Sequence, residues 1–231
     1  AAIAIPLIGI SMPFLFSKRD KRKSIGQLMV GFSLLFIGLE YLKNSVPDIN
    51  SNPQVLEFLS QYSDMGYGSV LLFLLVGSIL TIIMQSSSAT MAITLVMLNQ
   101  GWINFEVAAA MVMGENIGTT ITANLAAIPA NANARRAALS HTLFNVLGGV
   151  WLLIVFYPFT RFVNWAVTWG EASANTPLYA LSLFHTMFNV VNVCVMIWFV
   201  KLYEKIVVTI IKDKKTDNKF LTHTLAHTHT H

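Results

Sequence analysis

One stretch limits the folds open to this chain more than any other. Val70 to Met84 is predominantly apolar, Gln85-Ser86-Ser87-Ser88-Ala89-Thr90 is polar, and Met91 to Leu98 is apolar again. Each arm falls short of the roughly 20 apolar residues that carry a helix across a bilayer. In hydrocarbon, an unbroken run of hydroxyl and amide groups is costly unless those groups face one another, water or a ligand. Hydrocarbon is the solvent to expect: 55% of the 231 residues are hydrophobic and 11% charged, against about 25% charged in a soluble domain. The chain therefore reads as an all-α integral membrane protein, with residues 1–211 as the membrane domain and 212–231 as a disordered cytoplasmic tail.

The other apolar runs set a topology. Ala1 to Phe16 is short for a span, and Ile25 to Leu42 is long enough. The polar segment from Asn44 to Tyr67 holds a short interfacial helix around Val55, Leu56, Phe58 and Leu59. Phe105 to Met113 continues to Ile128 through an interruption at Gly114-Glu115-Asn116-Ile117-Gly118-Thr119-Thr120. Further spans are expected from Ala137 to Phe159 and from Leu178 to Val200, joined by an outer loop. Thirteen of the 15 Lys and Arg sit in Lys18 to Lys23, at Arg135-Arg136 and from Lys201 to Lys219. By the positive-inside rule these clusters are cytoplasmic, which argues against a nucleic-acid partner and puts the C-terminus of a multi-pass chain inside the cell. Parity then requires Ser69 to Asn99 to return to the side it left, so the Gln-Ser-Ser-Ser run caps a re-entrant hairpin. The single cysteine, Cys194, excludes an internal disulfide and reads as a packing residue.

At such a hairpin tip the first arm ends in unpaired carbonyls and the second begins with unpaired N–H groups. Carbonyls and serine hydroxyls suit a hard cation such as sodium, and a helix N-terminus suits an oxyanion. Gly114 to Thr120 offers a second such break, with Asn116, Thr119 and Thr120 as oxygen ligands. The competing reading is that Ser and Thr satisfy their own helix carbonyls and that Gln85 and Asn116 link helices. The sequence His141-Thr142-Leu143-Phe144-Asn145-Val146 returns 44 residues later as His185-Thr186-Met187-Phe188-Asn189-Val190. On helices of opposite direction this echo would be an inverted repeat, a feature of transporters, or a helix-packing device used twice.

Gln85-Ser86-Ser87-Ser88-Ala89-Thr90 followed by Gly114-Glu115-Asn116-Ile117-Gly118-Thr119-Thr120 resembles the signature of the type II sodium-dependent phosphate cotransporters. The resemblance runs from the first residues to about Lys212. It implies a transport protein and not an enzyme: a symporter of inorganic phosphate and sodium in the inner (plasma) membrane, with sodium as coupling ion and no other cofactor. It implies one half of an inverted-repeat fold with a re-entrant hairpin and a discontinuous helix. Substrate and sodium would bind at Gln85, Ser86, Ser87, Ser88, Thr90, Asn116, Thr119 and Thr120, sodium itself at Ser86, Ser87, Ser88, Asn116 and Thr119. One Gln-Ser-Ser-Ser run is present where the family has two, so the chain corresponds to a linker and second repeat. Either a missing N-terminal half or a homodimer would complete it.

Other residues carry weaker signals. Glu115 is a carboxylate at membrane depth and hence a functional candidate, although the family often has a small neutral residue there. His141 and His185 are read as helix-linking, and His227, His229 and His231 as part of the tail. Trp165 and Trp169, with Tyr157, suit an aromatic belt. Two other functions compete: an intramembrane serine hydrolase using one of Ser86 to Ser88 with His141 or His185, and a passive anion pore.

Overall fold

The computed structural model describes residues 3–45, 61–169 and 176–212, and among them every regular element is a helix. The chain divides into two compact units, Ala1–Phe58 and Leu59–His231, so the stretch expected as one domain over 1–211 contains both. The interfacial helix expected around Val55 to Leu59 and the tail beyond Lys212 lie outside the described residues. Four helices are long and apolar enough to cross a membrane: Asp20–Tyr41, Tyr67–Met84, Ala132–Ile154 and Thr176–Ile210.

In the first unit, α1 (Ala4–Leu15) packs on α2 (Asp20–Ser45). Gly26 permits the contact, since a β-carbon there would lie 2.7 Å from the Leu15 nitrogen. The 12 residues of α1 rise only ~18 Å, as the short apolar run suggested.

The second unit contains α3 (Tyr67–Met84), α4 (Ser87–Asn99), α5 (Phe105–Ala127), α6 (Ala132–Ile154), α7 (Phe156–Val167), α8 (Thr176–Met196) and, after a 3₁₀ turn at Ile197–Phe199, α9 (Val200–Ile210). Its centre is α5, buried without interruption from Val107 to Glu115 and packed by α3, α4, α6 and α8. Burial explains how α5 carries an acid, an amide and several hydroxyls: its polar groups meet protein instead of lipid.

Glycines set how closely α3 and α5 approach. A β-carbon on Gly77 would strike the Met111 carbonyl, one on Gly114 the Leu74 carbonyl, and one on Gly118 would come within 2.6 Å of the Ser78 carbonyl oxygen. Leu74 meets Gly114 and, one turn on, Ser78 meets Gly118, so the two helices run in the same direction. Helix α4 joins the end of α3 to the start of α5 and must therefore run back, which makes α3 and α4 a helical hairpin. The pairs Asn124 with Thr142 and Ile117 with Gly149 show α6 antiparallel to α5. The pairs Trp151 with Phe188 and Gly148 with Asn192 show α8 antiparallel to α6. The end of α5, the start of α6 and the end of α9 thus share one end of the unit, where Arg136 Nε donates to the Ile211 carbonyl at 2.9 Å.

Several expectations are corrected. The interruption at Gly114 to Thr120 is no break, and the expected discontinuous helix is continuous from Phe105 to Ala127: its glycines serve as a contact surface for α3. The span expected to reach Phe159 stops at Ile154, because Pro158 has no N–H for the Ile154 carbonyl and its ring would clash there. The expected outer loop instead begins with α7, whose Phe156, Thr160 and Val163 face inward while Trp165 and, just past the helix, Trp169 are exposed. Cys194 lies exposed on α8, outside the core.

Because the Gly114 contact is with backbone, a Gly114→Ala change forces α3 and α5 apart. We expect a loss of about 1–3 kcal/mol, read as a lower melting temperature in detergent. Gly31→Ala, where nothing lies within 4 Å of the new β-carbon, should leave it unchanged or raised.

Candidate functional site

The hairpin turns in two residues. Gln85 caps α3 in the left-handed region (φ 52°, ψ 25°) and Ser86 is extended (φ −152°, ψ 108°). Among the described residues Gln85 is the one non-glycine with positive φ, a conformation that costs an ordinary residue roughly 1–2 kcal/mol. Ser86 then caps α4: its Oγ accepts from the Ala89 N–H at 3.3 Å, and its carbonyl accepts from the Thr90 N–H and the Thr90 hydroxyl, both at 3.1 Å. Ser87 and Ser88 occupy the first positions of α4, whose N–H groups have no acceptor within the helix. Gln85 and Ser88 are exposed, and Ser86 and Ser87 half-buried.

The register of α3 on α5 fixes where this tip lies. Thr81 packs against Gly118, and Gln85 follows one turn later, which sets the tip level with Thr119 to Thr122, with Asn116 about a turn deeper. The two polar clusters expected to form one site are therefore brought to neighbouring levels of the same helix pair. No hydrogen bond joins a tip side chain to Asn116, Thr119 or Thr120. The Thr119 hydroxyl donates to the Glu115 carbonyl and that of Thr120 to the Ile117 carbonyl, each at 2.7 Å. Asn116 Nδ2 is the one buried side-chain polar atom without a partner among the described residues.

A polar line continues from the tip along α4. Ser86, Thr90 and Thr94 recur every four residues on one face; the Thr94 hydroxyl stands 3.0 Å from the Thr90 carbonyl oxygen and 2.8 Å from Glu115 Oε1. Thr94 was not singled out from sequence, though its i,i+4 spacing from Thr90 was the available signal. Nearby, Ser78 Oγ reaches the Gly114 carbonyl at 2.9 Å, and Asn124 Nδ2 donates to the Thr120 carbonyl and to the Thr142 hydroxyl, tying α5 to α6.

The echo motifs use one device twice. Asn145 Nδ2 donates to the His141 carbonyl at 3.0 Å and Asn189 Nδ2 to the His185 carbonyl at 2.8 Å; the Thr142 and Thr186 hydroxyls likewise reach carbonyls four residues back. His141 is exposed and His185 half-buried, and no hydrogen bond joins either to Ser86, Ser87 or Ser88. A cavity of about 670 Å³ between α6 and α8–α9, lined by Arg136, His141, Phe144, Tyr203 and Glu204 among others, contains no residue of the tip.

These features define a helical membrane protein whose buried central helix lies beside a hairpin with a polar tip. Residues 57–171 match the sequence profile of the Na+/Pi-cotransporter family, and through this segment the chain belongs to that family. It is 32% identical over 204 residues to a protein of Escherichia coli (strain K12) named "Putative inorganic phosphate export protein YjbB", covering 87% of this chain and 35% of that one. It is 29% identical over 215 residues to the protein YqeW of Bacillus subtilis (strain 168), covering 92% and 65%. To the human sodium-dependent phosphate transport protein 2B it is 38% identical over 117 residues, covering 48% and 16%. The chain thus spans about a third of the length of the Escherichia coli relative. No solved structure matches it.

The geometry at Gln85 separates backbone from side chain. Gln85→Gly should fold with at least wild-type stability, since glycine enters the left-handed region without penalty. Gln85→Val, whose β-branch crowds the left-handed region more than an unbranched chain does, should be less stable than the wild type, measured by thermal unfolding in detergent.

Proposed function

We propose that the chain is part of a sodium-coupled symporter of inorganic phosphate, with both solutes held where the α3–α4 hairpin turns beside α5. The observation that carries this reading is the turn itself. At Gln85–Ser86 one helix ends in carbonyls and another begins in N–H groups, one turn beyond the contact of Thr81 with Gly118 of α5. The start of α4 offers the Ser87 and Ser88 amides and hydroxyls to an oxyanion, and the end of α3 offers carbonyls to a hard cation. Side-chain hydroxyls already engaged by local carbonyls, at Thr90, Thr119 and Thr120, line this place and leave contact with solute to Gln85, Ser87, Ser88 and the free amide of Asn116.

The names of the relatives support phosphate as solute and, for the human protein, sodium as coupling ion. In this reading α3 and α4 form a re-entrant hairpin while α5, α6 and α8 cross the bilayer. Arg135, Arg136, Lys201, Lys205 and Lys212 then gather at one end of the unit, which the positive-inside rule places in the cytoplasm with the C-terminus. Symport fixes the coupling and not the direction of net flow, so relatives named for export and for sodium-dependent transport are compatible with one mechanism. A second hairpin, from the rest of a longer protein or from a second copy, completes the pathway.

Reconstituted in liposomes with whatever half completes it, the protein should accumulate radiolabelled phosphate when sodium is supplied outside, and choline in its place should abolish accumulation. Ser87→Ala removes one hydrogen bond to a charged solute, worth about 1.5–3 kcal/mol, and should lower uptake roughly 10- to 100-fold while leaving the melting temperature within a degree or two. Uptake indifferent to sodium would sink the coupling.

A further inference from the structure

Glu115 has no role in the reading above, yet its surroundings are those of a binding site. It is 2% exposed and is the eleventh of the 23 residues of α5, far from either end. A carboxylate so placed needs a compensating charge. None is within ion-pair distance among the described residues. Helices α3 and α4 carry no ionisable side chain from Gly68 to Asn99. The other acid of α5, Glu106, is in its first turn. On α6 the candidates are Arg135 and Arg136, near the helix start, and His141, which is exposed; on α8 His185 lies near the level of Phe184, which meets Phe105 edge-to-face at the far end of α5.

The oxygens around the carboxylate are also arranged for a cation. Thr94 Oγ1 is 2.8 Å from Glu115 Oε1 and 3.0 Å from the Thr90 carbonyl oxygen. A hydroxyl has one proton: given to Glu115, it leaves the Thr94 oxygen with its own lone pairs and the Thr90 carbonyl with one beyond that taken by the helix N–H of Thr94, so carboxylate, hydroxyl and carbonyl oxygens all keep lone pairs at this place. Hard oxygen ligands of these three kinds are what alkali and alkaline-earth cations take. One carboxylate balances one positive charge, whereas a divalent ion would leave a net buried charge.

We propose that Glu115, Thr94 and the Thr90 carbonyl form a buried site for a single monovalent metal cation, set two turns below the hairpin tip on the Ser86–Thr90–Thr94 face of α4. The choice of sodium rests on the symport reading; the site itself does not. It would be a cation position distinct from the tip, whose ligands come from the return arm of the hairpin and the central helix together.

The test is a binding measurement that requires no flux. In detergent, at constant ionic strength, replacing choline with sodium should raise the melting temperature of the full chain, since a ligand bound only by the folded state stabilises it. In Glu115→Gln and Thr94→Val the sodium concentration giving half of this rise should increase at least about tenfold, equivalent to ~1.4 kcal/mol of binding. Glu106→Gln should respond as the wild type does. Should Glu115→Gln fail to fold, Glu115→Asp keeps the charge on a shorter stem and should fold with a weakened sodium response. A wild-type response retained in Glu115→Gln would overturn the site. So would an infrared spectrum assigning Glu115 a protonated carboxyl band that sodium leaves unchanged, because the proton would then be the occupant. Sodium stabilisation that depends on Glu115 without phosphate transport would reject the symport reading and leave the site standing; sodium-driven phosphate uptake with an unaltered sodium response in Glu115→Gln would do the reverse.

Discussion

The second unit depends on the approach of α3 to α5 at backbone distance. In a bilayer, apolar side chains gain little by leaving lipid for protein, so helix association relies on close packing and interhelical hydrogen bonds. Gly77, Gly114 and Gly118 supply the packing by offering backbone to backbone, and Ser78 adds a hydrogen bond to the Gly114 carbonyl. Since Leu74 and Ser78 are each matched to a glycine of α5 one turn apart, the contact also fixes the axial register. It is this register that determines the depth of the hairpin tip. A slip of one turn, about 5.4 Å, would carry Gln85 past the Thr119 to Thr122 level.

With the depth set, the short return arm follows. Helix α4 has 13 residues and rises ~20 Å, enough to reach the Asn104 cap of α5 but too little to cross a bilayer core of about 30 Å. Its polar face cannot meet lipid cheaply, and it is turned onto α5, where Thr90 and Thr94 are fully buried. The cost of a left-handed glutamine at the turn is offset by the Ser86 cap and by the α3–α5 contact that holds both ends. Strain kept at a turn by the packing of its neighbours is a frequent property of functional sites.

Much of this was legible in the chain itself. The run Gln85 to Thr90 between two short apolar arms announces a turn, and counting basic clusters on one side makes the segment a hairpin, in agreement with the parallel course of α3 and α5. What failed was the reading of Gly114 to Thr120. Glycine beside polar residues is ambiguous between a helix break and a contact surface, and only the position of α3 decides, because Leu74 and Ser78 lie about 40 residues away in sequence. The Thr94–Glu115 pair was hidden for the same reason: its members lie 21 residues apart, on two helices joined by a turn. Pro158 was a local signal that could have ended α6 in advance, and the inward spacing of Phe156, Thr160 and Val163 could have identified α7.

The histidine echo shows how local chemistry and symmetry differ. Asn145 and Asn189 make the same bond to the carbonyl four residues back, so each motif is stable by itself and would be so in any pair of helices. Position Gly148 and its counterpart Asn192 add something that local stability does not require: they touch each other. The Asn192 amide spans the glycine, donating to the Phe144 carbonyl at 3.2 Å and accepting from Trp151 Nε1 at 3.1 Å. Equivalent positions meeting across antiparallel helices is the contact a two-fold axis produces. The two residues are not alike, and the larger amide needs the smaller glycine opposite. A symmetric pair of asparagines or of glycines would either collide or leave the Trp151 N–H without its acceptor, so the departure from exact repetition is what lets α6 and α8 close on each other.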